Sequence, residues 1–137
     1  MGCDIHAAVE VRGFSDEAWT FVAEPPTYRN YAFFGALAGV RHAAENPLAA
    51  GRGIPKDISP DAARRCNGDH GGSWCTLKEL VEARDDMASG MRGEGYDPDD
   101  GILDQWIELG QMMDTAHAYY EGIADGSHTR FVFNFDS

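Results

Sequence analysis

Residues 3–12 form an alternating run. Cys3, Ile5, Ala7, Val9 and Val11 make one row and Asp4, His6, Ala8, Glu10 and Arg12 the other, the period of a half-buried strand. Gly13-Phe14-Ser15-Asp16 supplies a turn, after which Trp19, Phe21 and Ala23 alternate with Thr20 and Val22, so the two runs predict a hairpin. Pro25 and Pro26 end the second strand. Between Asn30 and Arg41, Tyr31, Phe34, Leu37, Ala38 and Arg41 recur at helical spacing and predict a short helix. From His42 to Gly72 the pattern is broken by Pro47, Gly51, Gly53, Pro55, Pro60 and Gly68 before the Gly71-Gly72 pair, which predicts a long irregular loop.

Thr76 and Glu79 form a capping box ahead of Leu77, Leu80, Val81 and Arg84, starting a second helix that ends near Gly90. After a Gly- and Asp-rich stretch to Gly101, Ile102, Leu103, Trp106, Ile107, Gly110, Met113, His117 and Tyr120 predict the longest helix. Phe131, Phe133 and Phe135 alternate with Arg130, Val132, Asn134 and Asp136 in a last strand. The predicted class is α+β, a small antiparallel sheet made of the N-terminal hairpin and the C-terminal strand. About three helices cover one face, joined by long irregular loops. Pairing of the last strand with the first would extend the polar row of Asp4 and His6 with Asn134 and Asp136.

At 137 residues the chain is sized for a single domain, 1–137. Apolar content of 43% and charged content of 25% suit a soluble protein, and no window reaches the ~20 apolar residues of a membrane span. The start of the chain lacks the pattern of a secretory signal, and three cysteines are an odd number, which favours reduced thiols in the cytoplasm. A net charge of −12 argues against direct nucleic-acid binding and makes a basic protein the natural macromolecular partner.

On a strand, Asp4 and His6 point to the same side with backbones roughly 6.5 Å apart, near enough to share one ligand or metal. An Asp-x-His at the end of a first strand also opens the calcineurin-like metallophosphoesterases, but their later ligands do not follow here in order. Cys66, His70 and Cys75 have part of a zinc-knuckle spacing without its leading Cys pair, so free thiols are the simpler expectation. The acidic run 94–100 lacks the Glu that closes a calcium loop and reads as a solvated loop. His42, His117 and His128 have no partner spacing and are expected on the surface or on helix faces.

Several blocks together resemble a widespread family of small bacteriophage proteins that begin Met-Gly-Cys-Asp-Ile-His. They are Met1 to His6, Arg29-Asn30-Tyr31 with Phe34, Arg52-Gly53-Ile54-Pro55 with Asp57 and Ser59, His70 with Ser73-Trp74 before Thr76-Leu77, and Arg130 to Asp136. The resemblance implies phage origin, action inside a bacterial host cell and an accessory role. The chain departs from the family pattern at Asn134, near which a Trp is frequent, and at Gly71, near which a second polar residue is frequent.

The residue types in these blocks suit a polar, nucleotide-sized pocket. Arg29 and Arg52 offer forks for carboxylate or phosphate, and Tyr31 and Trp74 offer flat faces. Asn30, Ser73 and Asp136 add polar contacts, and Asp4, His6 and His70 are the candidates for acid/base chemistry or for holding a divalent metal. Two readings follow. In one, Asp4, His6, Arg29, Arg52 and His70 converge on a small phosphorylated or nucleotide-like ligand, bound or hydrolysed, with capture of a host defence signal as a use. In the other, these residues are dispersed ties of loops, and an acidic surface around residues 94–104 engages a basic host protein, inhibiting it or imitating nucleic acid.

Overall fold

A computed structural model of the chain describes residues 2–12, 18–25, 31–40, 47–93, 104–119 and 128–136. The elements are β1 (Asp4–Val11), β2 (Thr20–Ala23), α1 (Tyr31–Ala38), α2 (Pro60–Arg65), β3 (His70–Thr76), α3 (Leu77–Gly93), α4 (Asp104–Tyr119) and β4 (Thr129–Asp136). The four strands form one sheet in the order β2-β1-β4-β3, with every neighbouring pair antiparallel. The α+β class, the hairpin and the C-terminal strand are as the alternation predicts. The turn at 13–16, Arg29, Asn30, His42 and the acidic run 94–100 lie outside the described residues, as do the side chains of Tyr31 and His117.

One face of the sheet carries the core. Ile5, Ala7, Val9 and Val11 of β1 and Phe131, Phe133 and Phe135 of β4 pack with Phe33, Phe34 and Leu37 of α1, Leu77 and Leu80 of α3, and Leu109 and Met113 of α4. Phe34, Phe133 and Phe135 are completely buried, and each such side chain contributes about 1.5–3 kcal/mol relative to exposure. α1 stops where Gly39 turns to φ +71°, a conformation that excludes most side chains; its N–H returns to Gly35 O at 2.8 Å.

The stretch from His42 to Gly72 departs from the expected long loop, since it contains α2 and the start of β3. Pro60 begins α2 rather than breaking it. It occupies the first helical turn, where its missing N–H has no intrahelical partner to lose, and Ser59 caps the helix by accepting the Ala62 N–H at 3.3 Å. β3 is concealed in the sequence by Gly71-Gly72 at its start. Its later part alternates nonetheless, with Ser73 and Cys75 buried and Trp74 and Thr76 half-buried.

α2 also corrects the expectation that helices cover one face only. Ala62 and Cys66, its C-cap, pack against Ala8 and Val132 on the second face, joined by Phe21, Ile58 and Trp74. Helix positions therefore flank the sheet on both sides. No helix is long and apolar enough to cross a membrane among the described residues.

Candidate binding cleft on the second face

The polar row of β1 and its partners on β4 define the second face. Register pairs Asp4 with Asp136, His6 with Asn134, Ala8 with Val132, and Glu10 with Arg130. The face is thus polar at both ends and apolar in the middle, where α2 sits. Its polar residues fasten that helix. Glu10 Oε2 accepts the Ser59 N–H at 2.7 Å in front of α2. Behind it, Asn134 Nδ2 donates to Cys66 O at 2.9 Å and Gly68 O at 3.2 Å, and Asn134 Oδ1 accepts the Gly68 N–H at 2.9 Å.

At one end, His6 Nε2 is hydrogen-bonded to Asp136 Oδ2, next to Asp4. His70 does not join them. It pairs in register with Phe135, and the two rings lie 6.2 Å apart between centroids. Phe135 belongs to the apolar row of β4, whereas Asn134 and Asp136 belong to the polar row, so His70 stands on the face opposite His6. Its Nδ1 contacts Asp69 Oδ1 at 2.7 Å. The acid/base or metal trio of Asp4, His6 and His70 is therefore not assembled. Among the described residues no three His, Cys, Asp or Glu side chains gather as a metal-binding group.

Arg52 is a structural tie. Its Nη1 donates to Trp74 O at 3.0 Å and Glu79 Oε1 at 2.9 Å, and its Nη2 donates to Glu79 Oε2 at 2.5 Å and Leu48 O at 3.4 Å. The guanidinium lies 4.9 Å from the Trp74 ring centroid. The Glu79 hydrogen bond is the main influence raising the Arg52 pKa, and the same bond is the main influence lowering that of Glu79. Ser73 is fully buried and accepts the Arg52 backbone N–H at 3.3 Å. The expected gathering of Arg52 and Ser73 with Asp4 and His6 does not occur. Ser73 pairs in register with Phe133 of the core row and so stands on the face opposite His6, while Arg52's donors hold its loop to Trp74 O and Glu79.

Cys66 and Cys75 likewise part company, since Cys75 pairs with Phe131 in the main core and Cys66 packs under α2 on the second face. Burial pushes the Cys66 thiol up to about 12 and Cys75 upward as well. His128, expected on the surface or on a helix face, is buried just ahead of β4, and its carbonyl accepts the Arg12 N–H at 3.0 Å.

At the other end of the second face lies a cleft of about 400 Å³ lined by Arg12, Trp19, Pro55, Lys56, Asp57, Trp74, Thr76 and Arg130. Such a volume is within the range of small-molecule sites. Arg130 forms its floor. Its Nε donates to Glu10 Oε1 at 2.7 Å and its Nη1 to Asp57 Oδ1 at 3.0 Å. Asp57 Oδ2 accepts the Trp19 indole N–H at 3.1 Å. The guanidinium carbons of Arg12 and Arg130 lie 4.4 and 4.0 Å from the Trp19 ring centroid, within cation–π range. Burial alone would raise the Asp57 carboxyl, but the hydrogen bond and charge of Arg130, aided by Trp19, hold it below its ordinary value.

Among the described residues, Trp74 alone of the expected ligand-binding residues borders this cleft. Arg12, Trp19, Lys56, Asp57 and Arg130 escaped selection as site residues. The available signal was the polar row itself, since Glu10 and Arg12 continue the line of Asp4 and His6, and Arg130 alternates with the phenylalanines. Comparison with protein-family models, with curated proteins and with solved structures returned no match.

Proposed function

We propose that this protein binds a small phosphorylated or nucleotide-like molecule in the cleft between Trp19 and Trp74. The supporting observation is a concentration of unlike kind. A chain of net charge −12 gathers Arg12, Lys56 and Arg130 with two indoles around one cavity of about 400 Å³. Counting Glu10 and Asp57 against the three cations, three positive minus two negative charges leave +1. An anionic group is attracted to the cationic end, and Trp74 offers a flat wall for a base or other planar group. The reading is one of binding; the Asp4, His6 and Asp136 end of the face is a separate polar cluster. Phage origin, action inside a bacterial host cell and an accessory role are what the family resemblance implies, and capture or destruction of a host defence signal is the use we propose within that role.

Calorimetric titration with nucleoside mono- and diphosphates, cyclic nucleotides, ADP-ribose and inorganic phosphate tests the proposal. Saturable binding of at least one nucleoside phosphate is expected, weakened in Lys56→Ala and Trp74→Ala. Heats of dilution alone across the whole set would overturn it. The net charge of −12 also favours a second reading, an acidic protein that engages a basic host protein, which predicts salt-sensitive binding to a basic protein surface and no nucleotide affinity.

A further inference from the structure

We infer that Asp57 occupies the seat of the ligand's anionic group and must be displaced for binding, so the cleft carries its own competing carboxylate. This rests on the reading of the cleft as an anion-binding site.

The donors and the acceptor differ in how firmly they are held. The Arg130 side chain is 5% exposed and is anchored through Nε by Glu10, which is itself fully buried. Trp19 is buried under two guanidinium groups. Their free ends, Arg130 Nη1 and Trp19 Nε1, converge on the two oxygens of one carboxylate. That carboxylate belongs to an exposed side chain, 60% accessible, on the segment leading to α2. Fixed buried donors facing an exposed acceptor have the form of a receptor for a two-oxygen anion, with Asp57 as the resident.

A phosphoryl or carboxylate group presents two oxygens in a similar disposition, so it can take the same two donors when Asp57 swings out. Lys56, adjacent in sequence and also lining the cleft, is placed to meet the entering charge. The exchange needs no refolding of the floor, because Glu10 keeps Arg130 in position whichever anion occupies Nη1. Selectivity follows. Only a ligand whose anionic group competes with a carboxylate already in place gains entry, and uncharged planar molecules gain nothing from the displaced donors.

The test compares wild type with Asp57→Ala and with Asp57→Asn, which keeps the side-chain shape, using AMP, adenosine and inorganic phosphate as probes and tryptophan fluorescence as the readout. Circular dichroism establishes that each variant is folded. AMP and phosphate should bind the Asp57→Ala protein about tenfold more tightly than wild type, the size of one charge-assisted hydrogen bond recovered, with adenosine unchanged. A folded variant that binds AMP with unaltered or weaker affinity would overturn the inference while leaving wild-type binding intact. An equal gain for adenosine would also overturn it, since Asp57 would then be a steric plug. Absence of binding to wild type and to both variants would remove the proposed function together with it.

Discussion

Glu10 and Arg130 face each other in register across β1 and β4 and form a buried ion pair, Nε to Oε1 at 2.7 Å, with side chains 0% and 5% exposed. The pair is a junction. Glu10 also accepts the Ser59 N–H ahead of α2, and Arg130 also reaches Asp57 in the cleft.

Because both charges are desolvated, removing one partner leaves the other uncompensated, so Glu10→Ala or Arg130→Ala is expected to destabilise the fold by about 3–5 kcal/mol. Replacing both together with apolar residues of similar size should cost less than the sum of the single changes. Urea denaturation of the two single variants and the double variant measures this. Additive losses would show that the pair is not coupled.

Asn134 ties the exit of α2 through its three hydrogen bonds to Cys66 and Gly68. Asn134→Ala strands buried backbone groups and is expected to lower stability by about 1–3 kcal/mol. Gly68→Ala should be harmful as well, since a Cβ there would collide with the Phe135 carbonyl. Thermal unfolding of both variants checks the two expectations; a melting temperature within error of wild type would contradict them.

The Arg52 and Glu79 pair predicts a pH dependence. The Glu79 pKa is lowered from 4.5, chiefly by the Arg52 hydrogen bond, so the unfolded chain takes up the proton more readily than the folded one. Its contribution is complete above pH 4.5 and is lost as pH falls through the lower folded value. Asp57, lowered from 3.8, acts in the same direction at still lower pH. Denaturation midpoints measured from pH ~6 to ~3 should therefore fall less steeply in Glu79→Gln than in wild type. Parallel curves would contradict the assignment.

All three cysteines are buried, and burial raises the thiols of Cys66, to about 12, and Cys75. A thiol in this state contributes almost no thiolate at neutral pH. Ellman's reagent should label the native protein only as fast as it opens, and all three thiols promptly in denaturant. Rapid native labelling would contradict the packing of α2 and the core.

Much of the fold is legible in the alternation of Cys3 to Val11 and of Arg130 to Asp136, because one buried row forces a period of two. The helix at Thr76 is legible from its cap. α2 was obscured because Pro60 marks a break or a helix start with equal ease, and β3 because Gly71 and Gly72 carry no side chain to alternate. The candidate site was legible only as a row. Asp4 and His6 draw attention as titratable groups, but strand parity puts His70 on the other face, and Glu79 holds the Arg52 guanidinium through both of its terminal nitrogens. The cleft is formed instead by residues distant in sequence, Arg12, Trp19, Lys56, Asp57 and Arg130, whose meeting depends on the pairing of β1 with β4 and on where Glu10 secures the segment before α2.

In the proposed binding mode the cleft, and not the His6 and Asp136 end of the same face, receives the ligand. The most direct test of that mode is an NMR titration of the labelled protein with AMP, following the indole N–H signals of Trp19 and Trp74 and the ring signals of His6. Saturable shifts of both indole signals are expected, with His6 unmoved. Shifts centred on His6, or indole signals unchanged at saturating AMP, would contradict it.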